Sequence, residues 1–234
     1  MSKNVSRKMK QNLVMVLALM VTMLPATLWA GTLKDDFNDG NLNGWDLSGA
    51  PRDTWEVKNG ELVVTPKGLP VGFSIGETTW NNYTVSVRAK IVNCQFTGAI
   101  EGVSIGVRSL SFPLYGYVFG FGTIDKKYIY CFRVDGSTTV FIAESKPFEW
   151  ELDKWYDLKL IVEGDQFKFY VNDELVIEYT DTVYPTGKAE ITASFSETIS
   201  HFDDFSVTGD EVPTLTNVLP KDKLAAAWGK VKGK

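Results

Sequence analysis

Of the side chains able to do chemistry, this sequence is rich in carboxylates and sparing with everything else. It holds one histidine, His201, so a Ser-His-Asp relay has a single candidate base. His201 opens an apolar run with no Ser or Cys motif beside it, which reads as a surface histidine. No HExxH or CxxC spacing occurs, so zinc has no obvious ligand set. The glycines of Gly116-Tyr-Val-Phe-Gly120-Phe-Gly122 alternate within a strand-like run and precede no helix, unlike a phosphate loop. Glycoside hydrolysis needs two carboxylates roughly 5–10 Å apart across a cleft. Glu149, Glu151 and Asp153 alternate around Trp150, but they precede a strand, where a solvated loop explains them. No strand carries acids at alternate positions flanked by aromatics. Two acidic pairs remain: Asp35-Asp36 near the start of the fold and Asp203-Asp204 near its end. The first and last strands of a sandwich are often neighbours, and two such pairs beside turn carbonyls suit Ca²⁺, a hard cation that takes oxygen ligands. Solvated strand ends account for the same residues equally well.

The elements that must carry these residues are strands. The clearest stretch is Trp155 to Tyr179. Tyr156, Leu158, Leu160 and Val162 share one face; after Glu163-Gly164-Asp165, so do Phe167, Phe169 and Val171. A second turn at Asn172-Asp173 leads to Leu175, Ile177 and Tyr179. Period-two alternation broken by Gly, Asp and Asn predicts an antiparallel meander with one buried face. Asn59-Gly60 signals a hairpin. Leu69 to Ile75, interrupted by Pro70 and Gly72, predicts a loop or short edge strand. Tyr83 to Ile91, Val103 to Arg108, Tyr115 to Phe121, Tyr128 to Val134, Thr138 to Ala143, Lys188 to Phe195 and Phe202 to Val207 predict further strands. In the fourth of these stretches, Tyr128, Tyr130, Phe132 and Val134 are expected to oppose Ile129, Cys131 and Arg133. No stretch up to Val207 has a helical period. A dozen or so short strands at close spacing predict an all-β, two-sheet antiparallel sandwich or jelly roll.

Residues 1–30 read as a secretory signal peptide: Lys3, Arg7, Lys8 and Lys10, then an apolar run from Leu13 to Leu24, then Pro25 and Ala30. The run is short for a membrane span. The expected location is secreted or periplasmic, with no membrane attachment after cleavage. Residues 31–209 form the expected domain, and 210–234 a linker with a short basic tail in which Leu224, Ala227, Trp228 and Val231 could share a helical face. Residues 31–234 carry 20 basic and 29 acidic side chains, and 31–209 alone have net charge −11. Such acidity argues against nucleic acid and anionic membranes as partners and suits cations. Cys94 and Cys131 are open to two readings, an exported disulfide or two buried thiols.

The segments DDFNDGNLNGW, WEVKNGELVV, GVSIGVRS, YGYVFGFG, KWYDLKLIVEGDQFKFYVNDELV and HFDDFSVTG together resemble the concanavalin A-like lectin/glucanase superfamily. Within it, the chain is most similar to laminin G-like bacterial domains and 3-keto-disaccharide hydrolase-like domains, over about Leu33 to Gly209. The resemblance implies a sandwich that hosts lectins, carbohydrate-binding modules, glucanases and lyases. It implies a structural Ca²⁺ held by the carbonyls of Asp36 and Gly60 and the carboxylate of Asp203, which shares strand parity with Phe205 and Val207. The glucanases' Glu-x-Asp-x-x-Glu strand has no counterpart here. It implies a ligand face on the concave sheet, where the outward Arg88, Arg108 and Arg133, with Glu101, Trp80 and Tyr115, are the candidates. Arginine donates paired hydrogen bonds to hydroxyls or uronate carboxylates, and aromatic faces stack on sugars. The expected function is non-catalytic binding of an extracellular carbohydrate or glycoconjugate. The alternatives are a glycosidase or keto-sugar hydrolase of the same fold, and an adhesion or scaffold domain that binds protein.

Overall fold

The structure is a computed structural model that describes residues 30–94, 101–112, 115–123, 127–142, 146–194 and 198–216. The expected signal peptide up to residue 29 and the tail beyond residue 216 lie outside these residues, and of Glu101 only the backbone is described. In chain order the strands are β1 (Gly31–Asp35), β2 (Trp55–Lys58), β3 (Glu61–Val64), β4 (Val71–Ile75), β5 (Tyr83–Asn93) and β6 (Glu101–Ser111). There follow β7 (Tyr115–Thr123), β8 (Lys127–Asp135), β9 (Thr138–Phe141), β10 (Lys146–Pro147) and β11 (Tyr156–Glu163). The last are β12 (Gln166–Val171), β13 (Glu174–Thr180), β14 (Lys188–Ser194), β15 (Ile199–Gly209) and β16 (Leu215–Thr216). The only helical turn among the described residues is Arg52–Thr54.

These strands make two sheets. The nine-stranded sheet runs β13-β12-β11-β5-β15-β1-β16, with the β2–β3 hairpin attached to β15 through β3. The seven-stranded sheet runs β10-β8-β7-β6-β14-β4, with β9 also paired to β8. β4 is thus an edge strand, where the interruptions at Pro70 and Gly72 are tolerated. β16 lies within the stretch read as linker and pairs in parallel with Leu33 and Lys34.

Period-two alternation explains most of the core. Leu158, Leu160 and Val162 of β11 meet Val171, Phe169 and Phe167 of β12 across the ladder, and all are buried. The turns take the left-handed backbone their residues favour: Asn59 and Gly60 at φ 55° and 76°, Asn172 and Asp173 at 50° and 63°. A bulge between Phe169 and Tyr170 leaves Leu175 exposed, although its parity in the sequence matches Ile177.

Two expected faces are reversed. In β8, Ile129 and Cys131 enter the core, while Tyr130 and Phe132 lie on the open face. The ladder decides this: Phe121 and Phe119 of β7 point inward and pair with Ile129 and Cys131, and antiparallel partners share a face. Both faces of β8 are apolar, so alternation alone could not choose between them. In β15, a bulge at Asp204 (φ 50°) breaks parity, so Phe202 and Phe205 are both buried and Asp203 points outward beside Arg88. The parity that linked Asp203 to Phe205 is therefore lost.

Cys131 is buried and Cys94 half-buried, and the two are not bridged to one another. Burial pushes the Cys131 thiol up and leaves it inert.

Candidate functional site

The six residues expected to bind ligand do not form one face. Arg88 projects from β5 of the nine-stranded sheet, beside Trp155, with Asp204 at 3.2 Å and Asp203 at 3.8 Å. Arg108 and Arg133 belong to the other sheet. Arg108 is 2% exposed. A bulge in β6 gives it φ 53° and turns its side chain inward. There its guanidinium donates to the carbonyls of Asn81, Gly164 and Tyr184, tying three loops at one end of the sandwich. Arg133 donates to both oxygens of Asp135 at 3.0 Å and to Asp181 at 2.7 Å. Tyr117 and Tyr184 donate to the same two carboxylates. The pairing with Arg133 holds the Asp135 carboxyl below its ordinary value. Trp80 is buried over Gly76, where a Cβ would lie 2.3 Å from the indole ring. Arg108, Arg133 and Trp80 are therefore structural. Arg108 also lines a small cavity of about 260 Å³ with Asn81, Gly164 and Asp181, whereas Tyr115, 41% exposed, reaches a different and larger cavity.

That larger cavity is a groove of about 320 Å³ on the open face of the seven-stranded sheet. Its floor is β7, β6 and β14, through Val118, Gly106, Glu190, Thr192 and Ser194. One wall is Phe132 and Val134 of β8 with Thr139 of β9. The other is Leu69, Pro70 and Phe112. Tyr115 stands at one end, its ring 6.3 Å from that of Tyr184.

Glycines make the groove possible. A Cβ at Gly72 would sit 2.3 Å from the Phe112 ring, and one at Gly49 only 2.0 Å, so two bare positions let Phe112 fold back over the sheet. The alternating glycines of β7 have the same use. Tyr130 of β8 is wholly buried, and its hydroxyl donates to the Val103 carbonyl of β6. Its ring therefore crosses β7 at Gly120, the residue that faces both Tyr130 and Ser104 in the ladder. Glycine is required where another group approaches the backbone this closely.

Glu190 is the groove's one titratable carboxylate among the described residues. It is 3% exposed, and burial pushes its carboxyl up to about 7, against hydrogen bonds from the Ser109 and Thr192 side chains and the charge of Lys188. Thr192 Oγ1 lies 3.0 Å away. Among the described residues Glu190 makes no ion pair; Lys188, two residues earlier, is committed to Asp46 at 2.7 Å. The sequence did contain a signal for this site, a lone acid at 190 in an apolar strand, in step with Thr192 and Ser194. Phe112, Phe132 and Leu69 carried none, because their convergence depends on sheet order.

At the opposite corner, β1 and β3 pair end to end along β15, meeting at the Asp204 bulge. Phe37, Asn59, Gly60 and Asp204 all adopt left-handed backbone there. The Asp36–Asn38 turn touches Gly60: Asn38 Oδ1 is 2.5 Å from where a Gly60 Cβ would be. Burial, then the neighbouring Asp204, pushes the Asp203 carboxyl up. No group of three or more His, Cys, Asp or Glu side chains converges among the described residues.

The model of the 3-keto-α-glucoside-1,2-lyase-like domain family matches residues 32–203. The chain belongs to this family. It is also 29% identical over 154 residues to levanase of Bacillus subtilis (strain 168), a match that takes 63% of the chain and 20% of the levanase. The chain thus spans about a fifth of that relative's length. Among solved structures, the carbohydrate-binding module CBM66 from Bacillus subtilis superposes with a TM-score of 0.58 at 21% identity, over 71% of this chain and 96% of the module. The catalytic domain of an endo-1,3-β-glucanase (laminarinase) from Thermotoga petrophila RKU-1 gives 0.53 at 12% identity, over 79% and 99%. At these identities the likeness is one of fold. The chain therefore shares the two-sheet β-sandwich fold of a carbohydrate-binding module and of a glucanase catalytic domain. No helix among the described residues is long and apolar enough to cross a membrane.

Proposed function

We propose that the chain is a secreted, non-catalytic carbohydrate-binding module whose ligand lies in the groove on the seven-stranded sheet. The observation that carries this reading is the groove's composition. Apolar and aromatic walls can take the apolar face of a sugar ring, and the floor offers one carboxylate and several hydroxyls to its rim. Cleavage of a glycoside by the usual route needs two opposed carboxylates, and Glu190 is the only one that lines the groove among the described residues. A glycan array, read with and without EDTA, tests the reading. Binding of at least one glycan, weakened in Phe132→Ala, is expected; no glycan bound under either condition would overturn it.

A second reading has its own support. A carboxyl near 7 is suited to proton transfer at neutral pH, and the matching family is named for a lyase. Turnover of a keto-glycoside by the wild type, absent in Glu190→Gln, would favour it over simple binding.

Ca²⁺ is proposed at the corner where β1, β3 and β15 meet. The carbonyls of Asp36 and Gly60 and the carboxylate of Asp203 are hard oxygen donors, and the left-handed residues there turn backbone toward one another. The ion would relieve the repulsion between Asp203 and Asp204, which Arg88 partly offsets. Chelation is expected to lower the melting temperature, and Asp203→Ala to abolish that response; a melt unchanged by chelator would count against the site.

A further inference from the structure

Glu190 is a buried carboxylate with no ion-pair partner among the described residues. Taking a charge out of water is costly unless it is paired, so such groups normally sit in ion pairs. Here the nearest ammonium, that of Lys188, is already taken by Asp46. Although buried, Glu190 lines the groove floor. Across the ladder stands Gly106, where a Cβ would lie 2.9 Å from the Glu190 Cβ, and the groove opens above both residues. Among the described residues the remaining lining carries no cationic side chain: it combines hydroxyls and the rings of Phe112, Tyr115 and Phe132 with aliphatic groups such as Leu69, Val118 and Val134. Aromatic rings attract cations through their π faces. The whole domain from 31 to 209 carries net charge −11, which draws cations toward it.

The geometry points to a sugar bearing a free amino group as the ligand, its ammonium seated against Glu190 between the aromatic walls. This rests on the carbohydrate reading of the groove and specifies it. A neutral hydroxyl would gain one ordinary hydrogen bond from Glu190. An ammonium gains a charge-assisted bond in a site of low dielectric and supplies the counter-charge that the protein withholds. N-acetylation removes the charge and adds bulk at the point of contact, so it should be the discriminating modification.

The test titrates the full chain by calorimetry at neutral pH and low salt with two probes, a glucosamine tetramer and the same tetramer fully N-acetylated. The free-amine form is expected to bind about tenfold or more tightly, the size of a charge-assisted bond. In Glu190→Gln the ratio should fall to about one, chiefly through loss of affinity for the amine. Glu190→Asp keeps the charge and should keep the direction of the preference. Equal binding of the two probes by the wild type would overturn the inference, as would a preference that survives Glu190→Gln. The wild-type comparison stands even where a variant fails to fold. If neutral glycans bind on the array while the amine probe does not, this inference fails and the groove's role in binding carbohydrate stands. If no carbohydrate binds, both fail.

Discussion

Replacing Glu190 by Gln should change how stability depends on pH. The Glu190 carboxyl rises from 4.5 to about 7 on folding because it is buried at the groove floor. The folded state therefore holds this proton more tightly than the unfolded chain does. Its contribution is fully present below pH 4.5 and is lost as pH climbs through about 7. A shift of this size is worth about 3 kcal/mol, at 1.36 kcal/mol per pH unit. Asp35 acts in the same sense, since burial raises it from 3.8 to about 6 against the hydrogen bonds from Trp45 and Phe37. Asp46 acts oppositely: despite burial, its bond to Lys188 brings it down to about 2, and its contribution is lost only as pH falls below 3.8. The wild type should thus be most stable near pH 4–5 and weaken toward pH 8. In Glu190→Gln a neutral amide of the same shape replaces the acid, and the Ser109 and Thr192 hydroxyls can reorient to meet it. The variant should match the wild type near pH 4.5 and exceed it by about 3 kcal/mol at pH 8. Urea unfolding at half-unit steps from pH 4.5 to 8.5 measures the difference, in which Asp35 and Asp46 cancel. Parallel curves for the two proteins would refute the burial argument.

Other consequences are separable from this one. Arg108→Met should cost about 3 kcal/mol, because three loop carbonyls lose a charged donor; its urea midpoint should fall while glycan affinity of the folded fraction holds, and a loss of affinity with unchanged stability would restore Arg108 to the ligand site. Asp181→Asn removes the nearest counter-charge of Arg133 and should destabilise by about 2 kcal/mol in 0.1 M salt, with a near-neutral result showing that Asp135 alone suffices. Phe132→Ala should weaken glycan binding about tenfold, from loss of one aromatic wall, with the fold intact by far-ultraviolet circular dichroism. Arg88→Ala, on the other sheet, should leave glycan affinity unchanged and can be measured in the same titration.

Much of the architecture was legible from local rules. Alternation at Trp155 to Tyr179 set the meander's inward face, and Asn59-Gly60 set its hairpin. β1 and β15 do pair, as first and last strands of a sandwich often do, but Asp35 is buried against Trp45 while Asp203 turns outward beside Arg88. The ligand face was not legible in the same way. Arg88, Arg108 and Arg133 each read as an outward polar residue of a strand whose other face is apolar, yet one lies on the opposite sheet, one is turned into the interior by a bulge and one closes an end of the sandwich. A bulge shifts parity by one residue, and nothing in a single sequence marks where it falls.

By itself, the sequence determined the fold class: short amphipathic strands with turn residues between them can bury their apolar faces only by stacking two sheets. It also determined the net charge of −11 over residues 31–209. Only the tertiary structure decided which side of each apolar strand faces the core, since that depends on the neighbour chosen across the ladder. It decided, too, that Phe112, Phe132 and Glu190, far apart in the chain, surround one groove. Strand order sets which residues become neighbours across a sheet, and strand order is a property of long-range pairing that no local pattern encodes.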